Sequence, residues 1–144
     1  MFINDIGECK IDDLINSTQG LNIEIKSKWC NNLELEFNDE TYDLTFIDTW
    51  HVYGQLKREL NKFSKITNKY IIMHDTTVDE FFGESIRLNC NMKQQSKDSG
   101  IPIEEISKGL SYAINEFLDA NNDWIMLEKY TNNNGLTILA RRSE

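Results

Sequence analysis

With 144 residues, 40% of them hydrophobic and 27% charged, the chain can bury one core and is too short for two ordinary domains, so a single domain over 1–144 is expected. Fifteen Lys and Arg against 24 Asp and Glu leave a formal net charge of -9, and such a surface repels a phosphate backbone, which excludes a nucleic-acid partner as the expectation. No apolar run approaches membrane-spanning length, and the start, MFINDIGECK, is acidic where a secretory signal is basic and then apolar, so a cytoplasmic protein with no membrane partner is expected.

Phe2 to Ile6 is a short apolar stretch interrupted by Asn4 and Asp5. After Gly7, residues Ile11, Leu14 and Ile15 share a helical face, so strand, turn and helix are predicted, with Gly20 closing the helix. Leu21, Ile23 and Ile25 then alternate with Asn22, Glu24 and Lys26, the period of a half-buried strand, and Trp29 to Asn32 reads as a loop. In TYDLTFIDTW, Leu44, Phe46 and Ile47 form a strand-like run ending on Asp48, and Tyr53, Leu56, Leu60 and Phe63 recur at helical spacing. KYIIMHD repeats the passage. Its continuous apolar run from Tyr70 to Met73 predicts a strand covered on both faces, and it too ends on an acid, Asp75.

The composition then turns polar through KQQSKDSG, and residues 84–100 are predicted to be a lid or insertion that shapes an acceptor pocket. Behind Pro102 one long amphipathic helix is predicted, with Ile103, Ile106, Leu110, Ala113, Phe117 and Leu118 as its stripe. Trp124 to Tyr130, an Asn134-Gly135 turn and Leu136 to Ala140 give a hairpin. The whole pattern predicts an α/β fold, a mostly parallel sheet flanked by helices with a C-terminal antiparallel hairpin. The three cysteines, Cys9, Cys30 and Cys90, lack C-x-x-C spacing and are read as buried or semi-buried thiols.

Ligands of such sheets bind at the carboxyl ends of strands, which predicts Asp5, Asp48 and Asp75 along one rim. The stretch from Asp48 to Asp75 is long enough for one helical crossover between neighbouring parallel strands. Two carboxylates beside a hydroxyl, that of Thr76 or Thr77, are hard oxygen ligands suited to magnesium or a similar cation. The alternative, in which each aspartate caps the helix that follows it, stays open. A metal-dependent phosphohydrolase built on His74-Asp75 needs several further histidines, and the chain has only His51 besides.

YDLTFIDTWHVYGQLKREL resembles the fourth strand and following helix of class I, Rossmann-type S-adenosylmethionine-dependent methyltransferases, in particular the branch with an I-D-G-D-H-x-Y signature. IIMHDTT is similar to that branch's fifth strand, and the pair is also similar to the strand ends of catechol-type O-methyltransferases, where two acids and a polar residue hold magnesium. The resemblance implies a Rossmann-like fold, S-adenosylmethionine as cofactor and Mg2+ as metal. It places Asp48, Asp75 and Thr76 at the metal, His51 as general base, and Asp48 among the cofactor-facing residues. It further implies that Asp5 accepts the ribose hydroxyls and that Asn31 or Asn32 meets the adenine amine. The implied reaction is O-methyl transfer to a small-molecule or sugar hydroxyl.

None of the seven glycines falls in a G-x-G pattern, and between Gly7 and Leu44 there is room for only one helix and one strand. The family's first strand and glycine-rich loop are therefore expected to be missing. That predicts a truncated methyltransferase fold, either a fragment or split gene product, or a homo-oligomer that covers the gap. A catalytically inactive methyltransferase-like binding domain is the alternative function.

Overall fold

The computed structural model describes residues 1–142. It divides into two compact units, Met1–Asn38 and Asp39–Glu144, each with its own hydrogen-bonded sheet. The fold is α/β, with parallel strand pairs, connecting helices and an antiparallel hairpin at the C-terminal end.

In the first unit, β1 (Phe2–Asp5) and β2 (Lys26–Trp29) pair in parallel, from Phe2 opposite Lys26 to Asp5 opposite Trp29, with α1 (Asp12–Ser17) between them. Asp12 and Asp13 sit in the first turn of α1, where carboxylates oppose the exposed N–H groups favourably. The strand predicted over Leu21 to Lys26 starts only at Lys26, whose N–H reaches the Met1 carbonyl (2.9 Å). Leu21 and Ile23 are exposed, so their alternation marks no buried face. Cys9 is exposed as well, against the burial expected of it, while Cys30 and Cys90 are half-buried.

The second unit has β3 (Tyr42–Ile47), α2 (Tyr53–Phe63), β4 (Thr67–His74), α3 (Glu84–Arg87), α4 (Met92–Ser99), α5 (Ile103–Ile106), α6 (Leu110–Ala120), β5 (Trp124–Tyr130) and β6 (Leu136–Arg141). Its strand order is β3-β4-β6-β5. β3 and β4 are parallel, and β6 runs antiparallel to both β4 and β5, so three of the four strands point one way with β6 reversed between two of them. Leu56, Leu60 and Phe63 of α2 and Ala113, Ile114 and Phe117 of α6 are buried on helices that pack together, and Ile71, Met73 and Leu139 are buried on the sheet. The other face of the sheet is open. Leu44, Phe46 and Tyr70 are 48%, 55% and 41% exposed, so β4 alternates in burial where its apolar run predicted cover on both faces.

The helix predicted behind Pro102 is two helices. Its stripe continues through Ser107 to Gly109, but there the backbone turns away to pair with another segment: Lys108 bridges Phe82, and the Gly109 and Leu110 N–H groups reach the carbonyls of Phe81 and Asp79. Among the described residues, no helix is long and apolar enough to cross a membrane.

One ion-pair cluster joins α2 to α6. The Tyr53 hydroxyl donates to Glu116 (2.5 Å), and Lys57 Nζ lies 2.7 Å from the other Glu116 oxygen and donates to the Tyr53 hydroxyl (2.9 Å). Hydrogen bonds from Lys57 and Tyr53 hold the Glu116 carboxyl below its ordinary value, and the Lys57 ammonium is pushed up, chiefly by its hydrogen bond to Glu116. A depressed carboxylate stabilises the fold above its unfolded pKa and loses that contribution as pH falls through the folded value. Glu116→Gln is therefore expected to lower Tm by about one or two degrees near neutrality, because the pair is half-exposed. The gap closes as thermal melts are taken to acid pH.

Candidate functional site

Ile47 of β3 pairs with Met73 of β4, so the next residues, Asp48 and His74, emerge side by side at the carboxyl ends of two parallel strands. The loop from Asp48 to Val52 is tied down by its side chains: Thr49 donates to Glu59 (2.7 Å), a carboxylate with no exposed surface, and Trp50 donates to Ser85 (3.1 Å). The His51 N–H donates to the Glu84 carboxylate (3.2 Å) while the Glu84 N–H donates to the His51 carbonyl (2.9 Å). These bonds hold the His51 ring over the strand ends.

Asp75 leaves β4 with φ +57°, in the left-handed region. Asp is among the side chains that tolerate it, and the reversal starts a tight turn in which the Asp79 N–H reaches the Asp75 carbonyl (3.1 Å). Thr77 and Val78 both donate their N–H groups to the Asn134 carbonyl (2.9 Å each), which fixes that turn to the tip of the β5–β6 hairpin.

His51 is the centre of the cluster. Its Nε2 lies 3.1 Å from Asp48 Oδ1, and its Nδ1 lies 3.3 Å from Asp75 Oδ2, 3.5 Å from Glu84 Oε2 and 3.6 Å from Asp79 Oδ2. His74 Nδ1 lies 3.2 Å from Asp75 Oδ1. Asp79, with no exposed surface, accepts both Arg87 Nε (2.7 Å) and Arg87 Nη2 (2.8 Å), and this bidentate bond raises the guanidinium pKa further. Four carboxylates thus surround one imidazole, and Arg87 offsets one of them. His51 Nδ1, His74 Nδ1 and Asp75 Oδ1 are buried atoms with no hydrogen-bond partner. Ligand atoms of Asp48, His51 and Asp75 all lie within 4.8 Å of one another, so these residues fit a metal ion.

Capping does not account for the acids. The N-cap of α2 is Val52, with no side-chain cap bond, and the Asp48 carboxylate meets His51 instead. Thr76 is buried, and its hydroxyl accepts from Thr137 (2.9 Å). Near the acids lies a small cavity of about 10 Å³, with His51, His74 and the apolar Trp50, Leu56, Met73 and Leu110 in its lining, room for about one water.

In the first unit, Asp5 ends β1 exposed, and its Oδ1 accepts the Gly7 N–H (3.0 Å). Asn31 caps the short 3-10 turn Asn32–Glu34, accepting from Leu33 N–H (3.0 Å), the ordinary work of an Asn in a turn. Asp5, the last residue of β1, pairs with Trp29 at the end of β2, and Asn31 follows two residues later.

Asp79, Glu84, Arg87 and Glu59 were not among the residues the sequence singled out. The spacing of Asp75 and Asp79, one helical turn apart after a strand end, is the signal that could have pointed to the first of them.

No family model and no curated protein matches the sequence. Among solved structures it is similar to the crystal structure of OxaC in complex with SAH and oxaline, at 13% identity and a TM-score of 0.46, over 98% of this chain and 35% of that one. It is also similar to the crystal structure of OxaC, at 12% identity and a TM-score of 0.45, over 99% of this chain and 35% of that one. The chain thus spans about a third of the length of those chains.

Proposed function

We propose that this chain is an S-adenosylmethionine-dependent methyltransferase domain acting, with a divalent cation, on a hydroxyl of a small molecule or sugar. The observation that carries the reading is the convergence of Asp48, His51 and Asp75 at the carboxyl ends of two adjacent parallel strands, in sequence runs that resemble that family. Bound S-adenosylmethionine supplies a methyl group on a sulfonium centre, open to in-line attack by an oxygen. Asp48 and Asp75 hold the cation against which the acceptor hydroxyl is oriented, and an imidazole lining the cavity, His51 or His74, takes its proton. Trp50, Leu56, Met73 and Leu110 give the cavity apolar walls that limit water. On the first unit, Asp5 accepts the ribose hydroxyls, and Asn31 or Asn32 meets the adenine.

A second reading is a methyltransferase-like domain that binds without turnover. Calorimetric titration with S-adenosylhomocysteine tests both. Saturable heat is expected, and none at millimolar ligand would sink the methyltransferase reading. Binding without methyl transfer to any of a panel of sugar and phenolic hydroxyls would select the second.

A further inference from the structure

We propose that the open face of the second unit's sheet is a docking surface for a second copy of this chain, the two sheets stacking face to face about a two-fold axis. The proposal is independent of methyl transfer and of any cation.

By register, Leu44, Tyr70 and Ile125 fall in one row across the four strands, and Phe46, Ile72 and Ile138 in the next. Residues two apart on a strand point to the same side, so both rows share the face opposite to that of the buried Ile71, Met73 and Leu139. Leu44, Phe46 and Tyr70 are each about half exposed. A solvated sheet face ordinarily carries polar side chains. Here the charges of the first two strands are on the other side, where Lys69 pairs with Asp43 (2.9 Å), and the one charged residue in the two rows is Glu128, on the outer strand β5. A contiguous apolar patch of this kind marks a surface that something covers.

The charge of the chain indicates what does. At a net charge of -9 two copies repel, and they meet at least cost through a face that carries almost no carboxylate. An anionic lipid surface is disfavoured by the same net charge, with no Lys or Arg in the rows to draw it in. A patch without charges also has no ion-pair pattern that selects a different partner, whereas apolar rows are complementary to themselves, as a two-fold contact requires. Two such sheets pack about 10 Å apart with strands about 30° from parallel. Four strands about 4.8 Å apart, over about six residues, give a face about 20 Å on each side, or about 400 Å² in plan. Stable interfaces cover about 800 Å² of accessible surface per partner, so this one belongs at the small end and forms a dimer of micromolar strength.

Sedimentation velocity of the full chain from about 1 to about 200 μM is expected to show a monomer passing into a dimer with a midpoint in the tens of micromolar. Phe46→Glu and Tyr70→Glu, shown to be folded by circular dichroism, are expected to stay monomeric. Each substitution acts twice in a two-fold contact, so a loss of about 10-fold per copy becomes about 100-fold in the dimer constant. Phe82→Glu, which changes an exposed aromatic on the turn after β4, is expected to dimerise within about 3-fold of the wild type. Should the face variants fail to fold, hydroxyl-radical footprinting of the wild type reads the same surface: Phe46 and Tyr70 lose reactivity as concentration rises, and Phe82 does not. A wild type that stays monomeric, a Phe46→Glu that still dimerises, a Phe82→Glu that dissociates equally or a footprint unchanged with concentration each overturns the proposal. So does a Tyr70→Glu that dimerises, since Tyr70 is on the interior strand β4 and its loss would spare a dimer paired through the β3 edge.

Discussion

Replacing Arg87 with Ala is expected to lower the unfolding free energy by about 1–3 kcal/mol, below the range for a fully buried ion pair because solvent reaches the Arg87 side. Arg87 itself is partly exposed, so the loss arises on the other side of the bond. Asp79 has no exposed surface, and both of its carboxylate oxygens accept from the guanidinium. Its nearest charged neighbours across the His51 ring are further carboxylates, Asp75 and Glu84. Without Arg87 a buried carboxylate faces like charges with only the His51 ring, 3.6 Å away, to answer it. Arg87→Lys keeps the charge but not the two-pronged geometry, so it should fall between the wild type and Arg87→Ala. The double variant Arg87→Ala/Asp79→Ala should recover much of the loss, because the stranded charge goes with its partner. Urea unfolding of the four proteins measures this. A loss in Arg87→Ala below about 1 kcal/mol, or a double variant no more stable than the single, would show that the pair is not what offsets the buried charge. If the cluster holds the divalent cation proposed above, added Mn2+ should narrow the gap between wild type and Arg87→Ala.

Much of the scaffold under this cluster is legible in the sequence, for reasons that differ by element. Asp48 and Asp75 stand out because each closes a strand-like apolar run, and because the chain between them fits one crossover helix. The hairpin is legible because Asn134-Gly135 asks for a backbone that few other pairs adopt. Thr76 shows how little adjacency in sequence says about the space beside the acids. Asp75 takes a left-handed conformation, and its neighbour in sequence is buried against Thr137, while residues distant in sequence fill the space beside the acids. Glu84 and Arg87 were hidden for a related reason. Residues 84–100 are polar enough to read as a loop, yet they carry α3 and α4, and the contacts of Glu84 with His51 are made through space. The break between α5 and α6 is invisible to periodicity, since it is imposed by pairing with Phe81 and Phe82 and not by any local interruption of the stripe.

The hairpin tip also gives the second large effect, in Gly135→Ala. Gly135 has φ +100°, and a Cβ there would lie 2.3 Å from Thr77 Oγ1 and 2.4 Å from Thr77 N, so both backbone conformation and space are refused to a side chain. The left-handed conformation costs Ala about 1–2 kcal/mol and overpacking about 1–3, for a total of about 2–5 kcal/mol. Gly100 separates the two contributions, because it has φ +72° with nothing within 4 Å of an added Cβ, so Gly100→Ala should show only the first. The clash at Gly135 falls on backbone as well as side chain, and Thr77 N–H is one of the two groups that bond Asn134 and fix the turn after Asp75. Relief therefore has to come from moving that turn, and Asp75 with it. Gly135→Ala should accordingly weaken Mn2+ binding at temperatures where the protein is still folded, whereas Gly100→Ala should not. If both variants bound Mn2+ as the wild type does, the hairpin tip would be a matter of stability alone and the position of Asp75 would be set by β4.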